Sequence, residues 1–267
     1  MARLQALSLG HALDPFPPAA GVVHSVYARA ANVDMGSALW TLLAAGREDL
    51  PFGIRLAADA LDALGLSRGD PVRARAGFVG IGEGGATLVV DCRAAPRWTP
   101  ARDARAAPGL AERLALVAAA ARPRAWAGSA RMAGEVVSAL ERGASLPGVL
   151  AGVVGCGPGS TPAGDDVVVG VLAALAMPHA GARGAAATRV LRGALQPLLA
   201  GTSDLGAHLL RQAAEGFFAR PVRELTLALA CEPDGAHTRA ALRRVLDMGA
   251  SSGADLCLGL HAAAHTA

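Results

Sequence analysis

Apolar residues recur at three- and four-residue spacing through the second half of the chain. This spacing puts them on one face of an α-helix, so it predicts amphipathic helices packed around a shared core. Short connections containing Gly or Pro separate the segments, as is typical of a helical bundle. The predicted helices are residues 110–121, 132–140, 162–177, 183–199, 204–218, 222–230, 236–247 and 253–261.

The first hundred residues follow a different pattern. Short β-branched or alternating runs are separated by Gly, Pro and Asp, which indicates strands joined by turns. The glycine-rich stretch 82–85 predicts a hairpin turn between the last two runs, and residues 57–64 are predicted as a helix. The predicted strands are residues 21–30, 37–43, 52–56, 72–81 and 87–92.

These patterns predict an α+β protein. A small β-rich N-terminal domain is expected over residues 1–100, and a larger, mainly α-helical bundle domain over residues 108–267. The segment 94–108, with three Pro and several Arg, is predicted as the linker. The chain is 52% hydrophobic and 18% charged, so it can bury a large core and does not have the composition of a disordered protein.

Composition also excludes several function classes. All 25 basic residues are Arg, which rules out P-loop and Schiff-base lysines. The net charge is only +3 and the Arg residues are scattered, whereas nucleic-acid binding needs a clustered basic face. The longest apolar run, 167–178, is shorter than the roughly 20 residues that cross a bilayer. We therefore expect a soluble, cytoplasmic protein with no nucleic-acid or membrane partner.

The glycine-rich segment 155–166 is the strongest candidate for chemistry. Ser160 or Thr161 suits a helix N-cap, and Pro162 suits the first helical position. Unpaired amides and the helix dipole attract anions there, so the segment predicts a phosphate or carboxylate site. We expect Asp166 to face the ligand and Asp165 to lock the loop. The alternative is a well-capped helix whose two carboxylates only complement the dipole.

Two further helix starts carry hydroxyl groups, at residues 201–204 and 251–255. Residues 252–259 also repeat the pattern of residues 163–170: a small residue, Gly, any residue, Asp, three apolar residues and Gly. Either the helical half has approximate internal symmetry, or two helix starts converged on one role. The three starts could meet at a single anion or be three ordinary caps. The candidate catalytic residues are Asp165, Asp166 and Asp255, and the candidate substrate-binding residues are Gly157, Gly159, Ser160, Thr161, Gly164, Thr202, Ser203, Ser251, Ser252 and Gly253.

Histidine and cysteine positions indicate no hydrolase and no metal centre. His24 and Ser25 are adjacent on a predicted strand, so their side chains should point to opposite faces and form no dyad. His208 lies on a helix near the second hydroxyl-bearing start, where either a structural or a catalytic role is open. No HExxH or CxxC motif occurs. No cofactor is predicted; Mg²⁺ at the three aspartates is the one option left open.

The segment 155–166, Gly-Cys-Gly-Pro-Gly-Ser-Thr-Pro-Ala-Gly-Asp-Asp, resembles the G-x-G-x-G-L-T-P-S-G-D-D signature of the DUF2877 family. Residues 249–259 look like that family's later G-x-T-S-G-x-D-x-x-x-G segment, and residues 23–54 are similar in order. The chain departs from the pattern at Ser160, where Leu is usual, at Ala163, where Ser is usual, and at Ser251, where Thr is usual. The family includes the smallest subunit of bacterial oxamate carbamoyltransferase.

This resemblance implies carbamoyl transfer between carbamoyl phosphate and oxamate, or a similar small carboxylate amide, in purine or allantoin breakdown. A helix N-terminus suits the phosphate, an Arg fork at Arg131 or Arg211 suits the carboxylate, and an Asp suits the amide N–H. The implied partners are a small anionic metabolite and two larger subunits, which could hold part or all of the active site. Two other functions stay open: a non-catalytic assembly or ligand-sensing subunit, and a self-sufficient enzyme acting on another small carboxylate.

Overall fold

Strands make up the first of two units of the chain, Met1–Pro100. The structure is a computed structural model that describes residues 2–13, 16–83, 88–101, 107–143, 145–231 and 235–264. The strands described in this unit are β1 (Ala2–Gly10), β2 (Ala19–Tyr27), β3 (Ala30–Asp34), β4 (Leu39–Leu43), β5 (Gly53–Leu56), β6 (Pro71–Arg75), β7 (Phe78–Ile81), β8 (Leu88–Asp91) and β9 (Arg97–Trp98).

Eight of these strands close into a barrel. Their order is β5-β4-β3-β2-β6-β7-β8-β1, and β1 closes the ring by pairing antiparallel with β5. β1 also runs parallel to β8, and the short β9 pairs beside it. Closure leaves few unpaired strand edges, and the interior is filled by apolar side chains such as Leu9, Val33, Ile54 and Ile81.

Several local predictions for this unit are corrected by the structure. The run 72–81 is not one strand but the hairpin β6–β7, because Ala76 and Gly77 take φ angles of 51° and 79° and reverse the chain. Residues 57–64 form only a 3₁₀ turn at Asp62–Leu64. The Leu61 N–H, which a helix would pair with the carbonyl of residue 57, donates instead to the Ala28 carbonyl.

Three strands lie outside the predicted set. β1 was not predicted, and β9 lies inside the stretch predicted as a linker. β3 was also missed, because the run predicted as one strand over 21–30 ends at Tyr27 and turns into β3 at Ala30. β7 and β8 pair antiparallel, as a hairpin requires, but most of the turn predicted at 82–85 lies outside the described residues. Residues 102–106 of the predicted linker also lie outside them.

Helices make up the second unit, Ala101–Ala267, so the α+β class with an N-terminal β part and a C-terminal helical part is confirmed. Each predicted helix is present with its ends moved by a few residues. The unpredicted α3 is short and contains Pro147 and Gly148, which break the apolar periodicity. The described helices are α1 (Leu110–Ala121), α2 (Ser129–Arg142), α3 (Leu146–Ala151), α4 (Ala163–Leu175), α5 (Gly181–Leu195), α6 (Asp204–Ala214), α7 (Arg220–Cys231), α8 (Ala236–Leu246) and α9 (Ser252–Ala264).

Helices α4 and α9 form the centre of the helical unit. Every residue of α4 except Val169 is buried, as are ten of the thirteen residues of α9. Where the two helices touch, a Cβ on Gly170 would lie 2.0 Å from the Leu256 carbonyl oxygen. A Cβ on Gly259 would lie 2.0 Å from the Val167 carbonyl oxygen, so the contact is reciprocal. Only glycine permits this approach of two backbones.

The starts of these two helices are also built alike. The Gly164 N–H donates to the Cys156 carbonyl at 2.8 Å, and the Gly253 N–H donates to the Met248 carbonyl at 3.0 Å. A Cβ on Gly164 or Gly253 would lie within 2 Å of a carbonyl oxygen of the preceding segment, 1.9 Å and 1.8 Å away. These matching contacts favour the first reading of the sequence repeat, an approximate internal symmetry.

Among the described residues, no single helix combines the length and apolarity that a membrane crossing requires; α4 and the segment Pro178–Gly201 reach them only as a pair, bent by 66°.

Candidate functional site

The glycine-rich loop before α4 depends on backbone conformations that favour glycine. Gly155, Gly157 and Gly159 have φ angles of 76°, 101° and 102°. A Cβ on Gly155 would also lie 2.4 Å from the Gly201 carbonyl oxygen. The loop therefore takes a turn that other residues resist, and this turn brings it against the segment that precedes α6.

Several amides of this loop are open to a ligand. The backbone N–H groups of Gly157, Gly159, Ser160 and Thr161 donate to no group in the described part of the chain. Gly159 and Ser160 are exposed, so water can reach these amides. Successive unpaired N–H groups in turn conformations form concavities that bind anions.

The start of α4 differs in detail from the prediction. Pro162 is the N-cap rather than the first helical residue, and no side chain caps the helix. The Pro162 carbonyl instead accepts the N–H groups of Asp165 and Asp166 at 2.9 and 3.2 Å. The Thr161 hydroxyl lies 3.0 Å from Ser252 Oγ, at the start of α9. The N-terminal turns of α4 and α9 therefore lie side by side.

Asp165 is engaged as a lock on the loop. Its Oδ1 accepts the Gly155 N–H at 2.8 Å, and its Oδ2 accepts the Thr202 hydroxyl. The residue is 1% exposed. Burial raises the pKa of this carboxyl, while the hydrogen bonds from Thr202 and Gly155 act in the opposite direction. One carboxylate thus ties the glycine-rich loop to the start of α6.

Asp166, the next residue, is buried but incompletely paired. It is 6% exposed, and its Oδ2 contacts no hydrogen-bond donor among the described residues. Burial is the main cause that raises its pKa to about 7. The Ser252 hydroxyl lowers this pKa, the charge of Asp255 raises it, and the Thr161 hydroxyl lowers it. A carboxylate with these properties can take up or release a proton near neutral pH.

Asp255 is the counterpart of Asp166 on α9, and it joins a different part of the unit. Its Oδ1 accepts the Trp126 N–H at 2.8 Å and the Ser129 hydroxyl at 2.6 Å, at the start of α2. The residue is fully buried, and its Oδ2 has no partner in the described structure. Nearby, the Ser251 carbonyl accepts the Asp255 N–H at 2.9 Å, as Pro162 does for Asp166.

The start of α6 completes the cluster. Ser203 is a true N-cap, because its Oγ accepts the Gly206 N–H at 2.9 Å. The same hydroxyl donates to the Ser160 carbonyl at 2.6 Å. All three hydroxyl-bearing helix starts singled out in the sequence therefore meet around the start of α4.

Two comparisons with known protein families match this chain. A family model described as oxamate carbamoyltransferase subunit AllH matches residues 153–264, and a model of the AllH family N-terminal domain matches residues 5–97. The chain belongs to the AllH family. The C-terminal AllH match begins just before the glycine-rich loop and ends in α9, so it spans all three helix starts. No solved structure matches the chain.

Other side chains that the sequence suggested for the site lie in different surroundings. Arg131 pairs with Glu135 at 2.7 Å on the exposed face of α2. Arg211 lies seven residues after the start of α6, about 10 Å along the axis, and lines a groove between α5 and α6. His208 is buried against Gln212. Within the described residues, no three His, Cys, Asp or Glu side chains cluster as a metal site.

Sequence reasoning missed two features of this AllH-family chain. Ser129 and the Trp126 amide hold Asp255, and nothing in their local sequence indicated this role. The statement that His24 and Ser25 point apart was wrong, since His24 Nδ1 lies 3.2 Å from Ser25 Oγ. The register shifts between Val23 and Ser25, and a shift of this kind breaks the simple alternation of faces.

Proposed function

We propose that this chain is the small subunit of an oxamate carbamoyltransferase-like enzyme and that the glycine-rich loop binds an anionic substrate. The observation that carries the proposal is Asp166, a buried carboxylate whose Oδ2 has no donor among the described residues. It lies at the start of α4, next to loop amides that are also unpaired. Membership in the AllH family supports the subunit role.

The chemistry of these groups fits carbamoyl transfer. The N–H groups of Gly157, Gly159, Ser160 and Thr161 would hold the phosphate of carbamoyl phosphate. The amide nitrogen of oxamate would attack the carbamoyl carbon, and its proton would pass to Asp166 Oδ2. The new N–C bond forms while the C–O bond to phosphate breaks, and phosphate leaves with the electron pair. A pKa of about 7 suits a base that works near neutral pH.

The other predicted residues have supporting parts in this proposal. Thr202 and Asp165 would fix the loop, and Ser203 would hold the Ser160 carbonyl. Ser252 would position the Asp166 carboxylate. We place the enzyme in the cytoplasm, with two larger subunits as partners that supply the rest of the active site.

A second candidate is a ligand-sensing subunit without catalysis. Asp165 and Asp255 favour it, because both carboxylates accept hydrogen bonds from neighbouring segments of their own unit. In that case Asp166 would bind the ligand but would not transfer a proton in a reaction.

Binding is tested first, on the purified full chain. We expect phosphate, carbamoyl phosphate or oxamate to raise the melting temperature by several degrees, because a ligand at about 100 times its Kd adds about 2.7 kcal/mol. Asp166→Asn should abolish the oxamate response. The matched control is Asp247→Asn, which changes an exposed carboxylate of the same unit. If no ligand shifts the wild-type chain, the anion site is refuted.

Turnover then separates the two candidates. With the two larger subunits added, Asp166→Asn should lower the rate by about 10²–10⁴-fold if Asp166 moves the proton. Full turnover in a variant that has lost its oxamate response would leave the ligand-sensing role and exclude the catalytic one.

A further inference from the structure

A row of polar side chains crosses three neighbouring strands of the barrel. Ser25 on β2 pairs with Asn32 on β3, which pairs with Thr41 on β4. The Thr41 hydroxyl donates to Asn32 Oδ1 at 3.0 Å, and Asn32 Nδ2 donates to Ser25 Oγ at 3.1 Å. His24 Nδ1 lies 3.2 Å from the same Ser25 oxygen. Four side chains therefore form one connected chain of polar contacts.

A β-bulge creates the contact at the end of this row. Val23 is opposite Val33, and Ser25 is opposite Asn32, the residue before Val33, so His24 is an extra residue on β2. An extra residue of this kind leaves two consecutive side chains on the same side of the sheet. The bulge is thus the reason that the imidazole reaches the neighbouring hydroxyl.

The two hydrogen bonds of Asn32 fix how its amide group faces Thr41 and Ser25. Because Thr41 donates to Asn32 Oδ1, the amide must present its Nδ2 to Ser25. The Ser25 oxygen accepts that N–H, which leaves its own proton free to point to His24 Nδ1. In the tautomer whose Nδ1 carries no proton, the Ser25 hydroxyl donates to His24, and a hydroxyl within hydrogen-bond reach of a basic imidazole is the arrangement of an activated nucleophile.

Burial supports this assignment. Asn32 and Thr41 are 4% and 9% exposed, so the supporting part of the row is held in place. His24 and Ser25 are only partly buried, which leaves the reactive end open to a small molecule. None of these residues belongs to the glycine-rich loop or to the helix starts.

We propose that Ser25 is a nucleophile, with His24 as its base, toward small activated acyl or carbamoyl donors. Ser25 Oγ attacks the carbonyl carbon, and its proton passes to His24 Nδ1. The Oγ–C bond forms, the bond from carbon to the leaving group breaks, and the leaving group departs with the electron pair. The Asn32 N–H stabilises the charge that develops on Oγ. This activity lies beyond the proposed function and does not use Asp166.

The test uses the full chain and p-nitrophenyl acetate as an acyl donor. We expect a burst of p-nitrophenolate that approaches one equivalent per chain, and a gain of one acetyl group in the intact mass. Peptide mapping of the wild-type protein should locate the acetyl group on Ser25. This mapping needs no variant, so it stands even if a substitution disturbs the barrel.

Variants then identify the base. Ser25→Ala should abolish the burst, and His24→Asn should slow it by about 10²-fold or more. Ser37→Ala is the matched control, because Ser37 is an exposed serine of the same unit, and it should react as wild type does. The proposal is overturned if the wild-type chain is not acetylated, if the acetyl group lies only elsewhere, or if His24→Asn reacts at the wild-type rate.

Discussion

Replacing Asp166 by Asn should change how the stability of the chain depends on pH. Burial, opposed by Ser252 and reinforced by the charge of Asp255, raises the pKa of Asp166 from 3.8 to about 7 in the folded chain. The folded state therefore holds the proton more tightly than the unfolded state. The contribution of Asp166 to the free energy of unfolding is fully present below about pH 4 and is lost as the pH rises to about 7.

The magnitude follows from the two pKa values of Asp166. Their difference of about 3 corresponds to about 4 kcal/mol, at about 1.4 kcal/mol for each unit of pKa. Asn has nearly the same shape and does not ionise. We expect Asp166→Asn to be about as stable as wild type near pH 4, and more stable by up to about 4 kcal/mol above pH 7. For a unit of this size, that difference is about 10 °C in Tm.

The assay is urea unfolding of wild type, Asp166→Asn and Asp247→Asn, followed by far-UV circular dichroism at an acidic and a slightly alkaline pH. Asp247 is exposed, so its variant should differ from wild type by a similar small amount at both pH values. If the free-energy difference between wild type and Asp166→Asn is the same at both pH values, the reasoning about burial is refuted.

Two further predictions concern the contacts around this site. Thr202→Val removes the hydroxyl that donates to Asp165, so it should lower the free energy of unfolding in urea by about 1–3 kcal/mol. Thr202→Ser keeps that hydroxyl and should retain most of the stability. Gly170→Ala would put a Cβ 2.0 Å from the Leu256 carbonyl oxygen and should lower the free energy of unfolding by about 3 kcal/mol or more. Gly134→Ala, at an open position of α2, should raise it by about 0.5–1 kcal/mol. Similar effects of the two glycine changes would contradict the close helix contact.

Local periodicity predicts the helices of this chain well and its strands less well. The reason is visible in β1, Ala2–Gly10, which has no β-branched residue and still forms a strand. It is held by β8 on one side and β5 on the other, pairings across more than 40 residues of sequence. A helix makes its hydrogen bonds within itself, so its own sequence is enough to indicate it.

In the candidate site too, local features were predictable from the sequence and distant partners were not. The glycine spacing and the two adjacent aspartates indicated the loop and its neighbouring carboxylates directly. The partners of those groups come from far along the chain: Thr202 is 37 residues from Asp165, and Ser252 is 91 residues from Thr161. Only the internal repeat hinted at the second contact. The bulge at His24 left no sequence signal, because it depends on the register of β2 against β3.

The reciprocal contact of Gly170 and Gly259 has a kinetic consequence. If either helix slid along the other, a side chain would move into the place of a glycine and strike a carbonyl oxygen. The starts of α4 and α9, and with them the hydroxyls of Thr161 and Ser252, are therefore held at one spacing before any ligand arrives. If the loop binds an anion, as we propose, the site is already formed when the anion arrives. We expect its association to be limited by diffusion and charge rather than by a slow conformational step.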